Sequence, residues 1–278
     1  MTVLSSTRSS RVPKGLMVRP RRKNALLRPG LGLLGALIAL GIWQLTAVAG
    51  SFGNALPTAT ETIGRFVELL GTATFWHDAG LTVAIALTGL GISAVLGVLL
   101  GVLMGSSRVI RAATLAIFEF LKPIPPIVVL PLMVMVLGPT TPMALVLVVI
   151  GCALGIAMQT MAGVADTDPV ALSTARSYGL GRGETMWRIV LPSAGPFIGT
   201  AMRVSAPASL VVTVVAGLLG GAPGLGRSIY QAQAAGNYAT LYALVAVLGI
   251  LGLVFQGVAE SVEAKVLHWH PSHREVKP

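Results

Sequence analysis

The chain is short of charge, of aromatic rings and of cysteine. Only 11% of its 278 residues are charged and 54% are hydrophobic, and its mean hydropathy is +0.81. That excludes a water-soluble globular domain, whose surface needs far more polar area. The solvent for most of the chain is lipid. The single cysteine, Cys152, sits inside an apolar run, which excludes a disulfide framework and a thiolate metal site; it reads as packing. Acidic residues are absent from the first 30 positions, although eight of the 20 Lys and Arg fall there and help to lift the net charge to +10. Those eight, Arg8, Arg11, Lys14, Arg19, Arg21, Arg22, Lys23 and Arg28, have no interleaved ring on which a base could stack. They read as an anchoring tail at a lipid surface, and no nucleic-acid partner is expected.

What is present is a series of apolar runs. About 20 apolar residues cross a hydrocarbon core of about 30 Å at the helical rise of about 1.5 Å per residue. Runs of that kind cover Leu31–Val48, about Leu81–Met104, about Thr114–Leu137, Pro142 to about Met161, about Ala194–Leu219 and Tyr238–Val258. Backbone groups in lipid must be satisfied within each segment, so the expected fold class is all-α: a polytopic membrane protein of six transmembrane helices. The first run ends in Ala47-Val48-Ala49, which resembles a signal cleavage site. It is longer than the usual 7–15 apolar residues of a secretory signal, so it is expected to be retained as a span. Phe75-Trp76-His77 reads as an interfacial aromatic group.

Sidedness follows from Lys and Arg near the ends of the spans. With both termini inside, the basic tail, Arg108, Arg111, Arg176, Arg182, Arg188, Lys265, Arg274 and Lys277 face the cytoplasm, and only Arg65 and Arg227 face out. The expected division is a basic cytoplasmic tail over 1–30, a six-helix permeation domain over 31–260 with a cytoplasmic loop over 162–192, and a cytoplasmic tail over 261–278. The expected location is a cell membrane crossed six times, with both termini on its cytoplasmic side.

Between the fourth and fifth runs the chain reads DPVALSTARSYGLGRGETMWRIVLP, over 168–192. Asp168 can cap a helix whose first position is Pro169, because its oxygen accepts from orphan backbone donors and proline has none to lose. Gly179 can end that helix in the left-handed conformation without a Cβ clash. Gly181 and Gly183 loosen the turn, and Glu184–Val190 makes a second short helix ended by Leu191-Pro192. A helix–turn–helix outside the membrane results. Bundle connections usually take about 2–8 residues, so a loop this long, with a cap, a stop and an aromatic at Tyr178, reads as a docking element. The run Gly179-Leu180-Gly181-Arg182-Gly183 follows no strand and precedes no Gly-Lys-Ser/Thr, so it is not a nucleotide site. No paired carboxylates or nucleophile–base pair supports catalysis there, and no catalytic residue or cofactor is expected.

Three further features stand out. Pro123, Pro125 and Pro126 forbid regular helix around them; they make either a static kink or a break that lines a pathway or gate. Glu119 and Lys122, three residues apart, can pair on one helical face. Arg203 lies inside the fifth run and needs either a partner or a route to lipid phosphate; with Glu119, Lys122 and the three prolines it is a candidate for the pathway or gate. His268, His270 and His273, with Pro271 between them, have no fixed geometry, so no metal is expected.

Ala175, then Gly179, then Ile189-Val190-Leu191-Pro192 with nine residues between Gly179 and Ile189, resemble the "EAA" cytoplasmic loop of permease subunits of binding-protein-dependent ABC importers. The resemblance extends from about Leu56 to Trp269. Phe120-Leu121-Lys122-Pro123-Ile124-Pro125-Pro126, Leu130-Pro131-Leu132, Asp168-Pro169 and Gly224-Leu225-Gly226 are similar to the nitrate/sulfonate/taurine branch.

The resemblance implies a permease without ATPase activity of its own, carrying a small solute such as a sulfonate, taurine or nitrate delivered by an extracytoplasmic binding protein. It implies a second permease, an identical copy, and two ATP-binding cassette subunits. It further implies that Ala171, Leu172, Ala175, Tyr178, Gly179 and Leu180 contact the ATPase. Departures exist. Ser173 replaces the family's loop glutamate, Thr174 its first alanine, Val136-Leu137-Gly138 a Trp-Phe-Gly, and Leu210 and Gly217 a tryptophan and a glutamate of the fifth span. The glutamate's salt link is therefore absent, and these departures weaken the transfer of the branch's solute. The competing readings are an autonomous channel or ion-coupled carrier and a membrane enzyme or scaffold. The carrier is disfavoured because the clear ionisable candidates within the spans are only Glu119, Lys122 and Arg203.

Overall fold

In the computed structural model, residues 27–50 and 53–268 are described. The basic tail before Leu27 and the residues after His268, including His270, His273, Arg274 and Lys277, lie outside them. All regular elements among the described residues are helical: α1 (Leu27–Val48), α2 (Ala59–Leu70), α3 (Ala73–Ser106), α4 (Arg108–Leu121), α5 (Pro126–Leu137), α6 (Thr141–Ala165), α7 (Pro169–Ser177), α8 (Arg182–Thr185), α9 (Leu191–Gly220), α10 (Leu225–Ala234) and α11 (Tyr238–Val266). Helices α1, α3, α6, α9 and α11 are each long and apolar enough to cross a membrane. Helices α4 and α5 make a sixth span bent by 90° at the prolines.

The bundle is organised by α3 and α6, which lie against each other along most of their lengths. Glycine permits this approach. A Cβ on Gly97 would meet Ile156 Cβ at 2.7 Å, one on Gly101 the Ala157 carbonyl oxygen at 2.5 Å, and one on Gly105 Val164 Cβ at 2.5 Å. In lipid, where burying apolar surface between helices gains nothing over burying it in acyl chains, such backbone proximity and van der Waals contact supply the cohesion. Helix α9 closes the other side of α6. Val148, Cys152, Ile156 and Ala201 form one buried cluster there, so Cys152 is core, its thiol 3.8 Å from the Ser205 carbonyl oxygen.

One end of the bundle gathers α2, α10 and the starts of α3 and α11. Arg65 Nε donates to Thr240 Oγ1 at 2.8 Å. Ser228 Oγ donates to the Asp78 carboxylate at 2.5 Å, and the Leu225 N–H donates to Thr82 Oγ1 at 2.9 Å. The opposite end carries the end of α3, the start of α4, the α7–α8 loop and the end of α11. Helix α1 stands apart, tied to the rest through Trp43, whose Nε1 donates to the Pro57 carbonyl at 3.0 Å and whose ring tilts against Tyr242.

Several boundaries differ from the sequence reading. The second span starts at Ala73, eight residues before Leu81, because Phe75 is buried at the start of α3 and holds its first turn on the bundle. The polar stretches flanking the spans hold two helices that the apolar runs did not reveal, α2 and α10. Helix α2 begins with a capping box in which Thr58 and Glu61 satisfy each other's backbone donors. Helix α11 runs through Val266, so the stretch beyond residue 260 is helical in its first turns.

Candidate functional site

The loop between α6 and α9 folds as its local chemistry dictates. The Asp168 carboxylate accepts from the Val170 N–H at 2.8 Å, and Pro169 takes the first helical position. At the other end of α7, Gly179 has φ +75, its N–H bonds to the Arg176 carbonyl, and the Leu180 N–H reaches back to the Ala175 carbonyl. These are the paired bonds of a Schellman motif, which satisfies the carbonyls a helix end leaves open. A Cβ on Gly179 would meet nothing within 4 Å. Its requirement for glycine comes from the left-handed backbone alone.

The second helix departs from expectation. Leu191-Pro192 does not stop it: α8 passes through a π-helical stretch, Met186–Val190, directly into α9, making one 39-residue helix over Arg182–Gly220. The wider π turn is the physical reason. The Leu191 N–H bonds five residues back to the Met186 carbonyl, which shifts the register in which Pro192 would otherwise break the ladder.

The six loop residues named from sequence do not share one face. Tyr178 is 82% exposed and stands beside exposed Gly179. Ala171 and Leu180 are half-buried. Leu172 packs on the cluster of Val164, Val190 and Ala194, and Ala175 is 1% exposed. Leu172 and Ala175 therefore hold the loop in shape, whereas Tyr178 and Gly179 present its surface. Val170 and Trp187 are also exposed and were missed. Their signal in the sequence was weak, since a lone apolar residue in a loop reads equally well as packing.

The second locus is the elbow between α4 and α5. A Cβ on Gly151 would meet Pro126 Cγ at 2.9 Å and Val212 Cγ2 at 3.3 Å, so Pro126 rests where α6 and α9 meet. Gly151 is ten residues into α6, whose 25 residues span about 37 Å at the helical rise. The break is therefore about 15 Å along α6 from its start at Thr141, near the middle of a hydrocarbon core. Glu119, Lys122, Pro123 and Pro125 are all exposed around it. Pro123 and Pro126 have no N–H, so the carbonyls of Glu119 and Lys122 lack their usual helical donors.

Arg203 is not part of that locus. It pairs with Glu263 of α11 at 3.4 Å, the carboxylate side chain being 8% exposed and the guanidinium side chain 45%. This ion pair ties α9 to α11 toward the end that carries the α7–α8 loop. His268 lies at the end of α11, and among the described residues no group of His, Cys, Asp and Glu is placed to hold a metal ion.

Comparison with known proteins places this arrangement. A probable ABC transporter permease of Brucella melitensis is 26% identical over 240 residues, covering 86% of this chain and 97% of that protein. The taurine transport system permease TauC of Escherichia coli is 26% identical over 223 residues, covering 77% and 80%. The nitrate import permease NrtB of a Synechocystis strain is 26% identical over 268 residues, covering 90% and 96%. Among solved structures, an inward-facing form of the MetNI methionine ABC transporter has a chain that superposes with a TM-score of 0.61 at 22% identity, over 69% of this chain and 95% of that one; at that identity the likeness is one of fold. Residues 93–268 match the family described as "Binding-protein-dependent transport system inner membrane component". That span holds α4 to α11, with the elbow, the capped loop and the Arg203–Glu263 pair. The chain belongs to this family and is the membrane-spanning permease subunit of an ABC importer.

Proposed function

We infer that the α7–α8 loop is where a separate ATP-binding subunit docks, and that this subunit, not the permease chain, hydrolyses ATP. The observation that carries this is continuity: the loop's second helix is the start of α9. A push on the exposed turn at Tyr178 and Gly179 is transmitted along one helix into the middle of the bundle, past Val212, which packs with Pro126 at Gly151. A flexible connector would dissipate the same displacement. The loop's six residues then divide into a contact surface, Tyr178 and Gly179 with the half-buried Ala171 and Leu180, and a brace, Leu172 and Ala175.

The loop end carries Arg108, Arg111, Arg176, Arg182, Arg188 and Lys265, and the opposite end Arg65 and Arg227. By the positive-inside rule the loop end faces the cytoplasm, which puts both termini there and gives the division into a 1–30 tail, a 31–260 permeation domain with its 162–192 loop, and a 261–278 tail. The membrane is a bacterial cytoplasmic membrane, and a solute-binding protein approaches the α2 and α10 end. Two ATP-binding subunits serve two identical permease copies. The solute is small and anionic or zwitterionic, of the sulfonate, taurine or nitrate kind; taurine and nitrate stand in the names of relatives, and another is named for bicarbonate. The Pro123, Pro125 and Pro126 break with Glu119 and Lys122 belongs to the moving part of the permeation domain, where irregular backbone at membrane depth is tolerated.

The test is reconstitution in lipid vesicles. Permease, ATP-binding subunit and binding protein together should accumulate solute, omission of any one should abolish accumulation, and the permease alone should hydrolyse no ATP. ATP hydrolysis by the purified permease, or uptake without the ATP-binding subunit, would overturn the reading.

A further inference from the structure

Helix α4 has no buried residue. Its own chain holds it mainly at its start, where the Arg111 guanidinium donates to the Met104 and Gly105 carbonyls at 3.2 and 3.0 Å. Beyond that the arm is bare, and Phe120 is 73% exposed. At its end Glu119 and Lys122 stand one helical turn apart. Among the described residues neither side chain makes a hydrogen bond or an ion pair, although the same spacing in α2 closes the Arg65–Glu68 pair at 2.6 Å.

These charges sit next to a break near the middle of the hydrocarbon core, where an unpaired ion is expensive. Water or an opposite charge must meet them. The two carry opposite signs and sum to zero, which is the pattern a two-fold axis uses: in an isologous contact residue i of one copy meets residue j of the other, and j meets i. A role in holding a free anion accounts for Lys122 but leaves Glu119 beside it repelling the cargo, whereas a zwitterionic solute would meet both charges without joining two copies, a difference that the co-purification below separates. The carbonyls of Glu119 and Lys122, without helical donors because of Pro123 and Pro126, add acceptors that favour an ammonium arriving from outside the chain.

We propose that the end of α4 is a copy-to-copy contact at membrane depth, in which Glu119 pairs with the partner's Lys122 and Lys122 with Glu119 of the partner subunit. The proposal rests on the reading that two identical copies form the pathway, and it assigns the charges that hold them in register. Bare apolar side chains on the same arm, Ile117 and Phe120, lie beside the pairs and keep lipid and water from them.

The experiment uses full-length copies carrying two different affinity tags, expressed together with the cognate ATP-binding subunit and purified in mild detergent through one tag. Wild-type copies should co-purify. Glu119→Lys alone puts four cations at the contact and Lys122→Glu alone four anions, so recovery of the second tag should fall about tenfold in each case. The decisive arms are two rescues. The double swap Glu119→Lys with Lys122→Glu should restore co-purification. Co-expression of a Glu119→Lys copy with a Lys122→Glu copy should also restore it, because each introduced charge then meets its opposite across the axis.

The trans rescue cannot come from misfolding, nor from a pair within one helix, since each copy still carries two like charges. Rescue by the double swap but not in trans would assign the pair to a single copy and overturn the proposal. Single variants that co-purify like wild type would overturn it while leaving the homodimer intact. Wild-type copies that fail to co-purify would overturn the homodimer itself.

Discussion

The α3–α6 seam and the α4–α5 arm are both apolar, both membrane-embedded and both rich in residues that break helical rules, yet they are opposites in packing. In the seam Gly97, Gly101 and Gly105 bring two helices so close that a single added methyl would meet a neighbour at 2.7 Å or less. In the arm α4 buries no side chain, and α5 only Leu130. The seam is complete within one chain and has one arrangement. The arm has an exposed apolar surface, a break at the prolines and two unpaired charges, so its final packing depends on another molecule. Glycine in lipid marks where a chain is finished, and proline with charge marks where it waits for a partner or a movement.

That contrast can be broken experimentally, most severely at the seam. Gly101→Val should destabilise the bundle by about 3 kcal/mol or more, since overpacking commonly costs about 1–3 kcal/mol and here the obstacle is the Ala157 carbonyl as well as Thr160. The yield of detergent-stable protein and its thermal unfolding midpoint should both drop. Arg203→Ala should cost about 2–3 kcal/mol by leaving the buried Glu263 carboxylate unpaired, with Glu263→Gln milder because the Arg203 guanidinium it leaves unpaired is 45% exposed; thermal unfolding in detergent at neutral pH separates the two. Gly179→Ala should cost about 1–2 kcal/mol of local strain, confined to the loop, and appear as faster proteolysis there with the bundle's midpoint unchanged. Phe120→Ala in the arm should leave the stability of the fold within about 0.5 kcal/mol of wild type, as expected for a side chain that is 73% exposed in its own chain. A large drop for Phe120→Ala, or none for Gly101→Val, would erase the distinction between the two regions.

The same contrast explains what could be read from the sequence. Runs of apolar residues long enough to cross lipid identify themselves, and five of the six spans follow the apolar runs closely at their outer ends. The loop was legible for a different reason: Asp168, Pro169 and Gly179 act on backbone groups within four residues of themselves, so their chemistry is local. Helices α2 and α10 were not legible, because they are short and amphipathic and are held by contacts such as Arg65 to Thr240 and Ser228 to Asp78, far apart in the chain. The partner of Arg203 was invisible for the same reason, since Glu263 belongs to a different helix. Pro192 misled because the π stretch at Met186–Val190 changes the register of the turn before it, and because this bundle keeps prolines within its helices, as at Pro196 and Pro207 of α9. The inward placement of Leu172 and Ala175 depends on how the loop rests on α6 and α9, which no local pattern encodes.

The central claim is that a separate ATP-binding subunit works on the bundle through the exposed turn of the α7–α8 loop. Tyr178→Asp tests it most directly, because Tyr178 is 82% exposed and contributes almost nothing to the permease's own packing. On membranes with matched permease levels, the variant should insert and unfold like wild type, yet lose co-purification of the ATP-binding subunit and solute accumulation together. A variant that holds the ATP-binding subunit and transports at the wild-type rate would contradict the account.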